Sequence, residues 1–344
     1  MRAMNMKKML TGVILSLSAI SAAFADKGDG KATFSNPIIP KSVPDPTVIK
    51  ADDGYFYLYG TEDTYNMPIY RSQNLTDWTF IGTAFTDNTR PRTVKPFAKK
   101  GKMWAPDINY INGQYVLYYT IGLWGEEWDS GVGVATAPSP EGPFIDHGKL
   151  IDSREIGVQN SIDQFYIEDG GKKYLAWGSF HGIYIIQLTD DGLGIMPGAR
   201  KQKICGNQSE GSYIIKRKGY YYYFGSVGTC CEGAKSTYHV MYGRSKSLFG
   251  PYLTKSGERI LDGKYDTLIK GNDFVAGPGH NAEIGEDDKK QTWIIYHGYL
   301  RQEPKKGRMV FMSQVKWKGG WPYVDGGVPA KNAPAPYFKK SKKK

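Results

Sequence analysis

The chain has 344 residues, 40% hydrophobic and 23% charged, which excludes an intrinsically disordered polymer and allows a sizeable buried core. The formal charge is +11, but five of the lysines fall in the last six residues, Lys339 to Lys344. No basic patch interleaved with aromatics is evident along the body of the sequence, so nucleic acid is excluded as a partner, and the excess charge implies at most a weak attraction to acidic pectin-type polymers.

Residues 1–25 read as a secretory signal peptide. Lys7 and Lys8 open it, Leu10 to Ile20 form a short apolar run, and Ala23-Phe24-Ala25 is a small-x-small cleavage site. The run is too short for a membrane span, and no other span is present. The expected location is periplasmic or extracellular. The tail from 331 to 344 is expected to be disordered, which leaves 26–330 as the folded domain, taken as a monomer.

The remaining chain carries 25 tyrosines and 42 glycines, a composition that favours many short strands joined by tight turns. One pattern recurs five times: a polar residue, a short apolar run, a turn, then an aromatic-rich strand. It appears at 44–59, 106–119, 161–177, 209–224 and 279–296, and each copy reads as a β-hairpin. Further strand pairs follow most copies, and Trp78 and Phe144 read as core residues. Repeated units of about four strands predict an all-β, five-bladed β-propeller.

In a propeller, residues at the same repeat position meet at the axis. Asp45, Asp107, Asp163, Glu210 and His280 open the five copies, so four carboxylates and one imidazole are expected to converge. Crowded carboxylates repel, and some must hold protons or bind cations. Such a cluster separates the pKa values of an acid and a base, which is what glycoside hydrolysis requires. The three cysteines, Cys205, Cys230 and Cys231, form no disulfide framework or zinc site. Adjacent cysteines seldom pair, and a bridge from Cys205 to either partner is compatible with an exported chain.

The ordered motifs Asp45-Pro46-Thr47-Val48-Ile49, Met103-Trp104-Ala105-Pro106-Asp107, Ser161-Ile162-Asp163, Ser209-Glu210-Gly211, Gly228-Thr229-Cys230-Cys231 and Gly277-Pro278-Gly279-His280-Asn281 resemble those of family 43 glycoside hydrolases. Within that family they are most similar to endo-α-1,5-L-arabinanases. The resemblance implies an inverting hydrolase of arabinan side chains of pectin, with Asp45 as general base, Glu210 as general acid and Asp163 tuning the acid. Inversion implies base and acid carboxyls about 6.5–9.5 Å apart. It further implies calcium near His280, held largely by water, and a pocket lined by Cys231. Trp104, Asp107, Asn160, Ser179, Phe180 and Tyr238 are the candidate substrate contacts. Gln164, Gly211-Ser212 and His181 depart from the family pattern, which leaves open an exo-acting α-L-arabinofuranosidase or a β-xylosidase. A non-catalytic carbohydrate-binding propeller is disfavoured because all three acids are present.

Overall fold

Alternating aromatic and β-branched runs become strands, and glycine-rich segments become the turns between them. The computed structural model describes residues 32–92 and 102–339. Strand β1 (Thr33–Ser35) precedes five antiparallel sheets. Blade I holds β2 (Thr47–Lys50), β3 (Phe56–Tyr59), β4 (Pro68–Ser72) and β5 (Thr79–Thr83). Blade II holds β6 (Lys102–Ile111), β7 (Gln114–Gly122), β8 (Gly131–Ala137) and β9 (Ile145–Asp152). Blade III holds β10 (Phe165–Asp169), β11 (Lys172–Trp177), β12 (Ile183–Gln187) and β13 (Gln202–Cys205). Blade IV holds β14 (Glu210–Arg217), β15 (Tyr220–Val227), β16 (His239–Ser245) and β17 (Asp266–Ile269). Blade V holds β18 (Val275–Gly279), β19 (Ile284–Glu286), β20 (Thr292–Leu300), β21 (Met309–Lys318) and β22 (Trp321–Tyr323). The final strand, β23 (Asn332–Pro334), pairs with β1. The expected five-bladed β-propeller is therefore the observed fold. Among the described residues no helix is long and apolar enough to cross a membrane, and the signal-peptide reading lies outside them.

Strand periodicity explains how the blades hold together. Successive side chains face opposite sides of a sheet, so each blade serves two neighbours. In β15, Tyr221 and Tyr223 pack with blade III, while Tyr222 and Phe224 pack with blade V. In β7, Leu117 and Tyr119 join the core with blade I, and Tyr118 joins the core with blade III. Phe144 is fully buried in the first of these cores, and Trp78 packs half-buried against the core between blades V and I. Tyrosine suits these interfaces because its ring fills the wedge while its hydroxyl finds a carbonyl. Tyr118 donates to Gly192 O and Tyr252 donates to Leu248 O, both at 2.8 Å.

The domain boundary at residue 330 is too early. Residues 331–339 are packed, not a free tail: Asn36 N donates to Lys331 O at 2.8 Å, Tyr337 N donates to Asp287 Oδ2 at 3.0 Å, and Phe338 lies 5.1 Å from Phe56. The apolar Ala333, Ala335 and Phe338 cover the core between blades V and I, while the charge of the last residues masks that pattern in the sequence. Lys340 to Lys344 lie outside the described residues.

A ring of side-chain hydrogen bonds organises the axis. The residue at the axial end of each inner strand has a left-handed backbone: Asp45 (φ 52°), Ala105 (35°), Asp163 (58°), Gly211 (60°) and His280 (46°). Its N–H is turned out of the sheet ladder and needs another acceptor. In four blades the acceptor is a side chain on the second strand, or just beyond it, of the preceding blade. Thr61 Oγ1 takes Ala105 N at 2.8 Å, Thr120 Oγ1 takes Asp163 N at 3.1 Å, Ser226 Oγ takes His280 N at 2.7 Å, and His297 Nδ1 takes Asp45 N at 3.0 Å. Blade III has Gly178 at the corresponding place. A Cβ there would meet Gly182 O at 2.2 Å, so no side chain fits, and the Asp163 carboxylate accepts Gly211 N instead, at 3.2 Å.

Gly178→Ala should therefore cost about 2–4 kcal/mol through backbone overlap and strain. Gly54→Ala, at φ +85° with open space around it, should cost about 1 kcal/mol. Thermal unfolding of the two variants tests this, and equal losses would show that the close approach at Gly178 is not limiting.

Candidate active site

The left-handed turn that frees each N–H also aims the axial side chains into one cavity of about 580 Å³. Asp45, Asp163, Glu210, His280, Arg308 and Trp104 all line it. An adjoining space of about 420 Å³ shares Trp104, Trp124, Ile162 and Glu210 and adds Asn160, Ser179 and Phe180. Left-handed backbone at non-glycine residues is costly. Here it clusters at Asp45, Ala105, Asn160, Asp163, Phe180 and His280, all within or beside the cavity.

The repeat register differs from the sequence reading in two blades. Asp45, Asp163 and His280 are structurally equivalent, but the left-handed residue of blade II is Ala105. Asp107 stands two residues further along β6 and does not line either cavity. Its Oδ2 accepts Tyr166 N at 2.7 Å and Asn109 Nδ2 at 2.9 Å, tying blade II to blade III. Burial pushes its carboxyl up to about 7. Glu210 stands one residue before the equivalent Gly211, so its side chain reaches the cavity from a different angle.

Asp45 is built to stay ionised. Arg308 Nη1 donates to its Oδ1 at 2.9 Å, His280 Nδ1 lies 3.3 Å from the same oxygen, and Thr61 donates its hydroxyl to Oδ2. Burial by itself raises the carboxyl, but Arg308, then His280 and His297, overturn that and hold it well below the usual range. His297 is neutral, since burial pulls its pKa down to about 4 and its Nδ1 accepts the Asp45 N–H. A neutral ring adds little to carboxylate ionisation, so the permanent guanidinium charge is the main cause.

Asp163 and Glu210 are pushed the other way. Burial raises Asp163 well above the ordinary value, and the charges of Glu210 and Asp45 add to that. Burial also raises Glu210, against the hydroxyls of Ser179 and Tyr238, which donate to its two oxygens at 2.6 and 2.7 Å. The pair thus keeps a proton to higher pH than isolated carboxyls would.

The other candidates divide. Trp104, Asn160 and Phe180 line the cleft, and Phe180 is 37% exposed. Ser179 lines it while holding Glu210. Tyr238 is 1% exposed, stacked 5.7 Å from His297 beneath Glu210, and offers no open ring face to a ligand. The three departures from the family pattern are turned inward or sideways. Gln164 is buried between Thr120 and Ala105 O, Ser212 faces the Tyr223 hydroxyl, and His181 Nε2 meets Glu127 Oε2 at 2.9 Å.

Sequence reasoning missed Arg308, His297 and Trp124. Arg308 is one of many basic residues, and only the fold brings it against Asp45. His297 carries a weak signal, since it holds in blade V the register position filled by Thr61, Thr120 and Ser226 elsewhere. Trp124 is 77% exposed yet lines both cavities. The expectation about cysteines also changes. Cys230 and Cys231 are disulfide-bonded to each other at the cavity wall, and Cys205 is free. The turn between β15 and β16 is pinched by reciprocal bonds of Thr229 and Thr237, which puts the pair at its tip. Cys205 is instead buried in the core between blades III and IV, its thiol pushed up to about 12 by burial.

The raised Asp163 carboxyl carries a stability consequence. Its folded pKa lies above the unfolded value of about 3.9, so its contribution is complete at acid pH and lost as pH rises through the raised value. Asp163→Asn should raise the unfolding temperature by a few degrees at about pH 8, with a smaller gain or none at about pH 4. A gain independent of pH would contradict this electrostatic origin.

Comparison with known proteins agrees with this geometry. The family model described as Glycosyl hydrolases family 43 matches residues 34–322. The extracellular endo-α-(1→5)-L-arabinanase 1 of Bacillus subtilis is 32% identical over 287 residues, covering 81% of this chain and 86% of the relative. The extracellular exo-α-(1→5)-L-arabinofuranosidase ArbA of Cellvibrio japonicus is 32% identical over 307 residues, covering 82% and 86%. The solved Cellvibrio cellulosa α-L-arabinanase, complexed with arabinohexaose, superposes with a TM-score of 0.76 at 30% identity, covering 83% of this chain and 96% of that one. The chain belongs to glycosyl hydrolase family 43, as an arabinanase- and arabinofuranosidase-like hydrolase.

Proposed function

We propose that the chain is an exported, inverting hydrolase of α-1,5-linked L-arabinan that cuts within the polymer. The observation carrying this reading is that two carboxyls lining one cavity are pushed in opposite directions, Asp45 down and Glu210 up. Asp45, ionised beside Arg308, takes a proton from water as the water oxygen attacks the anomeric carbon. Glu210, still protonated, delivers its proton to the departing sugar oxygen, so the glycosidic bond breaks as the new C–O bond forms on the opposite face. Burial, helped by the charge of Asp45, keeps Glu210 protonated, and Asp163 orients it by anchoring the next backbone N–H. The cycle ends with Asp45 protonated and Glu210 ionised, and exchange with solvent resets both.

Internal cutting is supported by the position of Glu210, which lines both adjoining spaces. Sugar units can then lie on either side of the acid, with Trp104 and Trp124 as stacking faces. The extracellular relatives support export. Calcium near His280 fits only as a mainly water-held ion, because among the described residues no group of three His, Cys, Asp or Glu side chains is arranged to hold a metal. Bound beside His280, it would add positive charge next to Asp45 and favour that carboxylate.

Glu210→Gln and Asp45→Asn should each lower kcat on linear arabinan by about a thousandfold or more while leaving the unfolding temperature near that of the parent. Near-normal turnover by either variant refutes its role. Oligosaccharide products with the opposite anomeric configuration at first release are expected, and arabinose as sole early product would place the enzyme among the exo-acting members. Arg308→Met should shift the acid limb of the kcat/KM profile to higher pH, because Asp45 would then protonate more readily. An unmoved acid limb would mean that another group sets it. Trp124→Ala should raise KM about tenfold with little change in kcat if the ring is a platform.

A further inference from the structure

A second groove, of about 460 Å³, lies where blade IV meets blade V, and no residue lining it lines the catalytic cleft. It sits at the far end of the blade. Strand β14 runs from Glu210 in the cleft to Arg217 beside the groove, a path of roughly 20 Å at about 3.3 Å per residue. The groove is lined by Arg244, Lys246 and Lys255 together with Tyr220 and Trp321, and no carboxylate side chain lines it.

Its charges are pre-ordered. The Arg244 guanidinium lies 3.9 Å from the Trp321 ring centre and 4.3 Å from that of Tyr220, and its Nη1 donates to Gly320 O at 3.0 Å. Lys246 Nζ lies 3.7 Å from the Tyr220 ring centre and Lys255 Nζ lies 5.7 Å from that of Tyr242. Among the described residues none of the three cations forms an ion pair. Two carboxylates stand in the same region, Asp266 accepting from Lys255 N and Glu258 from Ser256 Oγ, but neither lines the groove or pairs with the three cations. Ring contacts hold a cation in place without neutralising it, so the groove presents three fixed positive charges beside aromatic surface.

We propose that this groove is a second binding site, for an anionic polysaccharide of uronic-acid units. A carboxylate on each sugar matches the guanidinium fork and the two ammonium groups. The cationic character stands on the geometry alone, whereas the choice of a polysaccharide over another polyanion rests on the arabinan reading. Bound here, an acidic polymer carrying neutral arabinan branches would be held while the opposite face cuts them.

The test is affinity electrophoresis of the full chain through gels containing polygalacturonate, for the parent and for Arg244→Ala/Lys246→Ala/Lys255→Ala. The basic tail is common to both, so a difference isolates the groove. The parent should be retarded and the variant should bind about tenfold more weakly, with retardation fading at high salt. Turnover of a short neutral arabino-oligosaccharide, unchanged in the variant, shows that it is folded, and Lys246→Gln alone should give an intermediate retardation. Equal retardation of parent and triple variant overturns the groove assignment. Retardation of the parent by single-stranded DNA but not by polygalacturonate overturns the choice of ligand. Because retardation is read without hydrolysis, failure of the arabinan reading would appear separately, as absence of turnover by the parent.

Discussion

The structure depends on how the backbone N–H is satisfied at the axial end of each inner strand. A left-handed residue turns that N–H away from its own sheet, and the preceding blade must supply an acceptor. Thr61, Thr120, Ser226 and His297 do so for their neighbours. One hydrogen-bond ring therefore fixes the relative placement of the blades and aims the side chains of Asp45, Asp163 and His280 at the same space. The blade III position, where Gly178 has no side chain, is where a carboxylate takes over as acceptor. Asp163 is thus part of the scaffold and part of the site at once.

This coupling accounts for the electrostatics. Burying three carboxylates together is unfavourable, and the chain meets the problem unequally. Asp45 receives a guanidinium at 2.9 Å, whereas Glu210 receives only hydroxyls and Asp163 an N–H. Identical chemical groups then separate into one that stays ionised and a pair that retains a proton. The five aromatic-rich cores between blades stabilise the fold enough to hold this strained and charged centre.

The two ends of blade IV differ in chemistry. One end of the inner strands carries the left-handed turns, the carboxylates and the Cys230–Cys231 bridge. The other end of blade IV carries the stacked cations of Arg244 and Lys246. The same blade joins them, so the proposed groove stands at a set distance from the cleft.

The sequence by itself determined the fold class, because period-two alternation and a fivefold repeat are local patterns that need no tertiary context. It also pointed to Asp45, Asp163 and Glu210 as sharing the axis, since each lies at or next to the opening of its repeat. The misplacement of Asp107 shows the limit of that argument. A two-residue offset changes no alternation pattern, yet it moves a side chain from the cleft to a seam between blades. Only the tertiary structure decided which charge meets Asp45, that Tyr238 lies beneath Glu210, and that Cys230 bonds its neighbour. The cationic groove was also invisible along the chain, since its residues come from positions 220, 244–255 and 321. Contacts between residues far apart in sequence are set by sheet register and blade packing, and neither is written in any single segment.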